Sequence, residues 1–175
     1  KQVIDLDKDF SFTVFLDGAK SAFTLIVNAY KNKKIQDVKE LLDSNVYDNF
    51  KESINKIVDK EEEIKTFQIL SLQSSIVNIE VIEKLVKIKV EFISLQENTL
   101  ENDTKTSKEI KDIWVFEREM DSESLIWKLV LDPEIEFPEA YMRNEIIIEN
   151  ASRDARNIVA ISLTNIDFSY LIISK

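Results

Sequence analysis

Three groups of side chains in this chain have types and spacing that could do chemistry. Asp112 shares strand phase with Trp114 and Phe116, so on a sheet facing a core its carboxyl would sit among aromatic rings. Poor solvation there would raise its pKa towards the range of a working general base. The run Asp5, Asp7, Asp9 has the alternating acids of a calcium loop. Its sixth position, however, is Phe10 where glycine is required, and its twelfth is Leu16 where a bidentate glutamate is required, so a calcium site is not expected. Lys31, Lys33 and Lys34 form the one local basic cluster, which could meet lipid phosphates at about 1 kcal/mol per lysine or simply cap a solvated helix end.

Much other chemistry is excluded by absence. The 175 residues contain no histidine and no cysteine, which removes Ser-His-Asp triads, thiolate nucleophiles, disulfides and the usual zinc sites. A single glycine, Gly18, cannot build a phosphate-cradling loop or a dinucleotide fingerprint. No cofactor is expected. The formal net charge of -10 argues against nucleic acid as a partner. That charge is unevenly spread: residues 1 to 60 hold ten lysines and ten acids, and the remainder carries the whole excess. The longest apolar stretch, Val14 to Tyr30, is interrupted by Asp17, Lys20 and Asn28 and makes a poor membrane span. The chain starts at Lys1 without an initiator methionine, so an anchor or presequence upstream is compatible with it.

The elements that would position these groups follow from periodicity. Phe12, Phe15, Leu16, Ala19, Ala22, Phe23, Ile26 and Tyr30 recur at helical spacing, predicting a first long helix with Asp5, Asp7 and Asp9 at its positive end. Gly18 inside that helix costs stability relative to alanine, so a close backbone approach is expected there. Ile35 to Leu42 predicts a short second helix. Ser44 or Asn45 is expected to cap a third, running through Val46, Tyr47, Phe50 and Ile54 and closed by the acidic run Asp59 to Glu63.

From Ile64 the period changes to two. A long strand to Ile82 with a bulge near Ser74 and Ser75 is predicted, followed by a strand through Val86, Ile88, Val90 and Phe92, then a polar connection from Glu97 to Ser107. A third strand is expected over Glu109 to Met120 and a fourth over Leu125 to Leu131. Three helices followed by four consecutive antiparallel strands make an α+β fold with helices on one face of a curved sheet. The third strand is apolar on both faces, since Ile113 and Val115 lie opposite Trp114 and Phe116, so cover from the tail or from a second copy is expected. Glu117 and Arg118 read as a surface ion pair. In the tail, a helix around residues 139 to 156 and an extended segment from Ile158 to Ile173 are expected.

Phe15-Leu16-Asp17-Gly18-Ala19-Lys20-Ser21-Ala22-Phe23, Val46-Tyr47-Asp48-Asn49-Phe50, Asp112-Ile113-Trp114-Val115-Phe116-Glu117-Arg118 and Trp127-Lys128-Leu129-Val130, in that order and spacing, resemble the C-terminal domain of the mitochondrial inner-membrane import translocase subunit that tethers the import motor, with its bacterial adaptor relatives. The resemblance covers residues 10 to 131. The extension from 132 to 175 lies outside it, and Glu61-Glu62-Glu63 stand where the family often has a glycine.

What the resemblance implies is a nuclear-transport-factor-two-like cone around an apolar cavity, without enzymatic activity. Its role would be an inner-membrane adaptor contacting lipid through its first helices and holding partner proteins, preceded in bacterial relatives by an anchor. Phe15, Ala19, Phe23, Trp114, Phe116 and Trp127 would converge on the cavity, where an acyl chain or apolar partner segment could enter, although aromatics at such spacing first of all fill a core. Lys31, Lys33 and Lys34 would face an anionic membrane surface. The competing reading is a small-molecule isomerase or dehydratase of the same fold with Asp112 as base. Such a base usually works with a tyrosine, and none falls on the four strands: Tyr30 and Tyr47 are in helices and Tyr141 and Tyr170 in the tail. A third reading, a soluble homodimer module, rests on the two apolar faces of the third strand.

Overall fold

A computed structural model describes residues 2–57 and 64–132. A short helix α1 (Gln2–Leu6) precedes the long helix α2 (Phe12–Lys31), a kinked 3-10 helix (Ile35–Leu41) and α3 (Ser44–Ile57). Four strands follow, β1 (Ile64–Ile82), β2 (Leu85–Leu100), β3 (Lys105–Glu119) and β4 (Lys128–Val130), paired antiparallel in sequence order into one sheet. The expected α+β architecture is present, with α2 laid on the face of the sheet that carries the core.

That core follows from two periodicities meeting. On α2, Phe15, Ala19, Phe23, Ile26 and Tyr30 make one buried stripe. On β2, every second residue from Val86 to Phe92 is buried, and β3 adds Trp114 and Phe116 in register with Val90 and Ile88. Val46 and Phe50 bring α3 onto the same cluster. The other face of the sheet is laced by ion pairs, Lys87 with Glu117 at 3.2 Å, Lys89 with Asp132 at 2.8 Å and Lys111 with Glu91 at 2.5 Å. Val115 is buried on that face within a single chain, so its cover does not require a second copy.

Several local expectations are corrected. The N-cap of α2 is Ser11, whose Oγ accepts from the Val14 amide at 3.4 Å, and the first turn of that helix holds no acid. Asp5 belongs to α1, and Asp7 lies in the turn between the helices. Asp43, rather than Ser44 or Asn45, caps α3: its Oδ1 accepts from the Val46 amide at 2.9 Å and its carbonyl from the Tyr47 amide at 2.9 Å. The Asp43 amide donates in turn to the Leu129 carbonyl at 2.9 Å, and Leu42 bridges Leu129 in parallel, so this cap also ties the helical layer to β4.

The strands β2 and β3 are longer than expected, and the supposed polar connection is paired strand up to Leu100 and from Lys105. Its polarity reflects a solvated hairpin: Lys105 and Gln68 both bond Glu97, at 3.0 Å and 2.7 Å, and hold its carboxyl below the usual range, Lys105 most of all. Irregularities in β1 fall at Lys65, Leu70 and Val77, on either side of the predicted Ser74–Ser75. The fourth strand shrinks to three residues, leaving Leu125 and Ile126 exposed outside it. The closing acidic run of the third helix and both tail elements lie outside the described residues.

Gly18 is also corrected. A methyl group built there meets nothing within 4 Å among the described residues, so no close approach requires glycine. Gly18→Ala is therefore expected to stabilise the helix by about 1 kcal/mol, read as a higher midpoint in thermal unfolding followed by circular dichroism. A lower midpoint would show that the exposed face of α2 has a partner that the backbone must approach.

Candidate functional site

The helix-covered face of the sheet has two unlike halves. One is aromatic. Phe23 stacks on Phe92 at 4.6 Å between centroids and leans on Trp114 at 4.7 Å, while Phe15 meets Phe116 at 6.0 Å and Trp127 at 4.9 Å, each edge to face. Thus Phe15, Phe23, Trp114, Phe116 and Trp127 are brought together on this face. Ala19 is buried on the same helical stripe as Phe15 and Phe23. Among the described residues these rings pack directly on one another, with geometry that contributes about 0.5–1.5 kcal/mol per pair beyond area burial. Trp127 is only half-buried and stands at the rim with Phe10, 6.0 Å away.

Arg118 closes that rim. It is not paired with Glu117: the two residues are adjacent on β3 and point to opposite faces, Glu117 to Lys87 and Arg118 to the helix-covered side. There the Arg118 Nη2 donates to Asp7 Oδ2 at 3.2 Å and its guanidinium carbon lies 5.2 Å from the Trp127 ring centroid. The first short helix is thereby fastened to the third strand. Sequence reasoning missed this pair because the partners are 111 residues apart; the available signal was that Arg118 keeps strand phase with Trp114 and Phe116.

The other half is polar. Continuing along β2 from Phe92, the inward positions are Ser94, Gln96 and Asn98, of which Ser94 and Gln96 are fully buried. Gln96 Nε2 donates to Ser94 Oγ at 2.9 Å, while its Oε1 is buried without a partner. Asp112 stands directly across from Phe92 on the same face. The residue keeps some exposed surface, yet its carboxyl lies among side chains, and burial pushes its pKa up to about 7. No tyrosine hydroxyl, lysine or arginine among the described residues bonds or pairs with it. Among the described residues, therefore, no phenol stands ready to assist a proton abstraction by it. Among the described residues no cluster of three acids could hold a metal ion.

The lysine cluster sits where α2 ends. The Lys34 amide donates to the Ala29 carbonyl at 2.7 Å and the Lys33 amide to the Tyr30 carbonyl at 2.9 Å, the two bonds of a Schellman cap. Lys33 takes the left-handed position, φ 57°, where glycine is usual. Lys33 and Lys34 are exposed, whereas Lys31 is half-buried with its ammonium 5.0 Å from the Phe67 ring centroid. The three lysines are therefore divided, two facing solvent and one packed on β1. No helix among the described residues is long and apolar enough to cross a membrane.

Compared with known families, residues 1–131 match the Tim44-like domain. No curated protein matches the chain closely enough to count as a relative.

Proposed function

Since the chain belongs to the Tim44-like domain family, whose members are membrane-associated and translocation-related, we propose that it is a non-catalytic adaptor that docks on an inner-membrane surface and holds partner proteins there. The contact proposed is peripheral and needs no spanning helix among the described residues. The observation that carries the lipid contact is the turn after α2, where Lys33 holds a left-handed conformation that costs a non-glycine residue about 1 kcal/mol. Lys33 and Lys34 are both exposed at this cap, which places two cationic residues at one end of α2. Leu25 and Val14 are exposed on the same helix and supply apolar side chains to an interface. The rim formed by Phe10, Trp127 and Arg118 is the entry for an acyl chain or apolar partner segment towards Phe15, Ala19, Phe23, Trp114 and Phe116.

Flotation with anionic vesicles at low salt tests the lipid contact. Replacing Lys33 and Lys34 by glutamate is expected to weaken vesicle binding by about thirtyfold or more, from about 1 kcal/mol for each lysine lost. Because glutamate also opposes the helix dipole, Lys33→Gly serves as the fold-sparing control: it relieves the left-handed strain while removing one charge, and should raise thermal stability yet lower vesicle binding. Equal flotation of all three proteins would sink the lipid contact.

The isomerase or dehydratase alternative retains one favourable observation, the raised pKa of Asp112. Against it stand the lack of a phenol partner among the described residues and a family that is generally non-catalytic.

A further inference from the structure

β1 lies at the edge of the sheet, and no backbone hydrogen bond joins its outer side to any described element. Two features set this edge apart. From Thr66 to Ile79 it carries no charged residue, the longest uncharged run in a chain that is 32% charged. It also holds four of the large apolar side chains most open to solvent, Leu70 at 48%, Val77 at 51%, Ile79 at 36% and Ile82 at 49%. Edge strands of monomers are ordinarily protected by charges or proline, and this one has neither along that run.

We propose that β1 is a two-fold interface that pairs antiparallel with β1 of a second copy of this chain, centred on Ser74. The assignment rests on a symmetry in the strand itself. An isologous pairing needs each residue to find its mirror position on the same face. About Ser74, the inward-facing residues match apolar to apolar: Leu72 with Ile76, Ile69 with Ile79, and Phe67 with Val81. Of the outward-facing residues nearest the axis, Gln73 meets Ser75, and further out Gln68 meets Glu80, polar to polar. The two inner irregularities, Leu70 and Val77, flank the centre at four and three residues from Ser74 and fall opposite Asn78 and Ser71. Between Thr66 and Ile82 the strand holds one charged residue, Glu80, which faces the neutral Gln68. No like charges meet anywhere in this register.

This inference is independent of the translocation role and goes beyond it. It also differs from a dimer through β3, whose outer face is already covered. The test is the mass of the full chain by light scattering over a dilution series, with two double variants on the solvent-facing side of β1. In Gln73→Lys/Ser75→Lys, lysine meets lysine twice across the axis; in Gln73→Glu/Ser75→Lys, glutamate meets lysine twice. The wild type is expected to approach twice 20.4 kDa with rising concentration. The first variant should stay at 20.4 kDa with unchanged circular dichroism, and the second should dimerise at least as well as the wild type. A wild type that remains monomeric throughout, or two variants with the same association constant, would overturn the proposal.

Discussion

Trp114→Ala is expected to lose about 3–5 kcal/mol of folding stability, the range for removing a large buried aromatic side chain. Trp114 is 2% exposed and stands at the junction of both elements that form the core, meeting Phe23 of α2, Phe92 of β2 and Phe116 of its own strand. The neighbouring rings are themselves held on a helix and a paired sheet and can close only part of the resulting void. Domains of this size have about 5–15 kcal/mol of stability in all, so the variant should unfold at a much lower denaturant concentration with an unchanged slope. A loss below about 1 kcal/mol would mean that the rings enclose free space that the indole does not fill, and would favour the ligand cavity over the packed core.

Asp112→Asn should have a large effect of the opposite sign, and only at neutral and alkaline pH. In the unfolded chain the carboxyl titrates near its ordinary value of 3.8, while in the folded protein burial raises it to about 7. The folded state therefore binds the proton more tightly, and stability falls as pH rises between the two values. Below about pH 4 both states are protonated and the residue has no linkage cost; above about 7 the cost is complete. Three pKa steps correspond to about 4 kcal/mol as an upper bound, less to the extent that solvent reaches the residue. The asparagine variant removes this dependence, so it should match the wild type near pH 4 and exceed it by about 2–4 kcal/mol at pH 8 in denaturant titrations. A wild type whose stability is flat from pH 4 to 8 would show that the carboxyl is solvated. A group that destabilises its own fold at physiological pH is the kind of local inconsistency that marks functional sites.

The α2 stripe and the Val86 to Phe92 alternation were legible in the sequence because each buries a single face, and a one-residue slip would turn that face to water. The association of Phe15, Phe23, Trp114, Phe116 and Trp127 followed from those phases together with the family resemblance. What escaped was wherever polarity continued a regular element. Ser94, Gln96 and Asn98 keep the strand period of Phe92 but end its hydrophobic signal, so the strand was cut short and the polar half of the enclosed face went unseen. Asp43 escaped as a cap because Ser44 and Asn45, capping types of equal strength, follow it at once. The Arg118–Asp7 pair needed the fold itself, since nothing local in either segment points to the other. Gly18 misled for a different reason: rarity suggested necessity, whereas its position faces open space.

The tie between Asp43 and Leu129 bears on the order in which the molecule assembles. The hairpins β1–β2 and β2–β3 join near neighbours in the chain, but this contact closes a loop containing all of α3 and three strands, and its entropic cost is met only when they are already in place. β4 is three residues long and gains little from its own ladder. It should consequently be the last strand to lock during refolding and the first to exchange its amide protons in the native state.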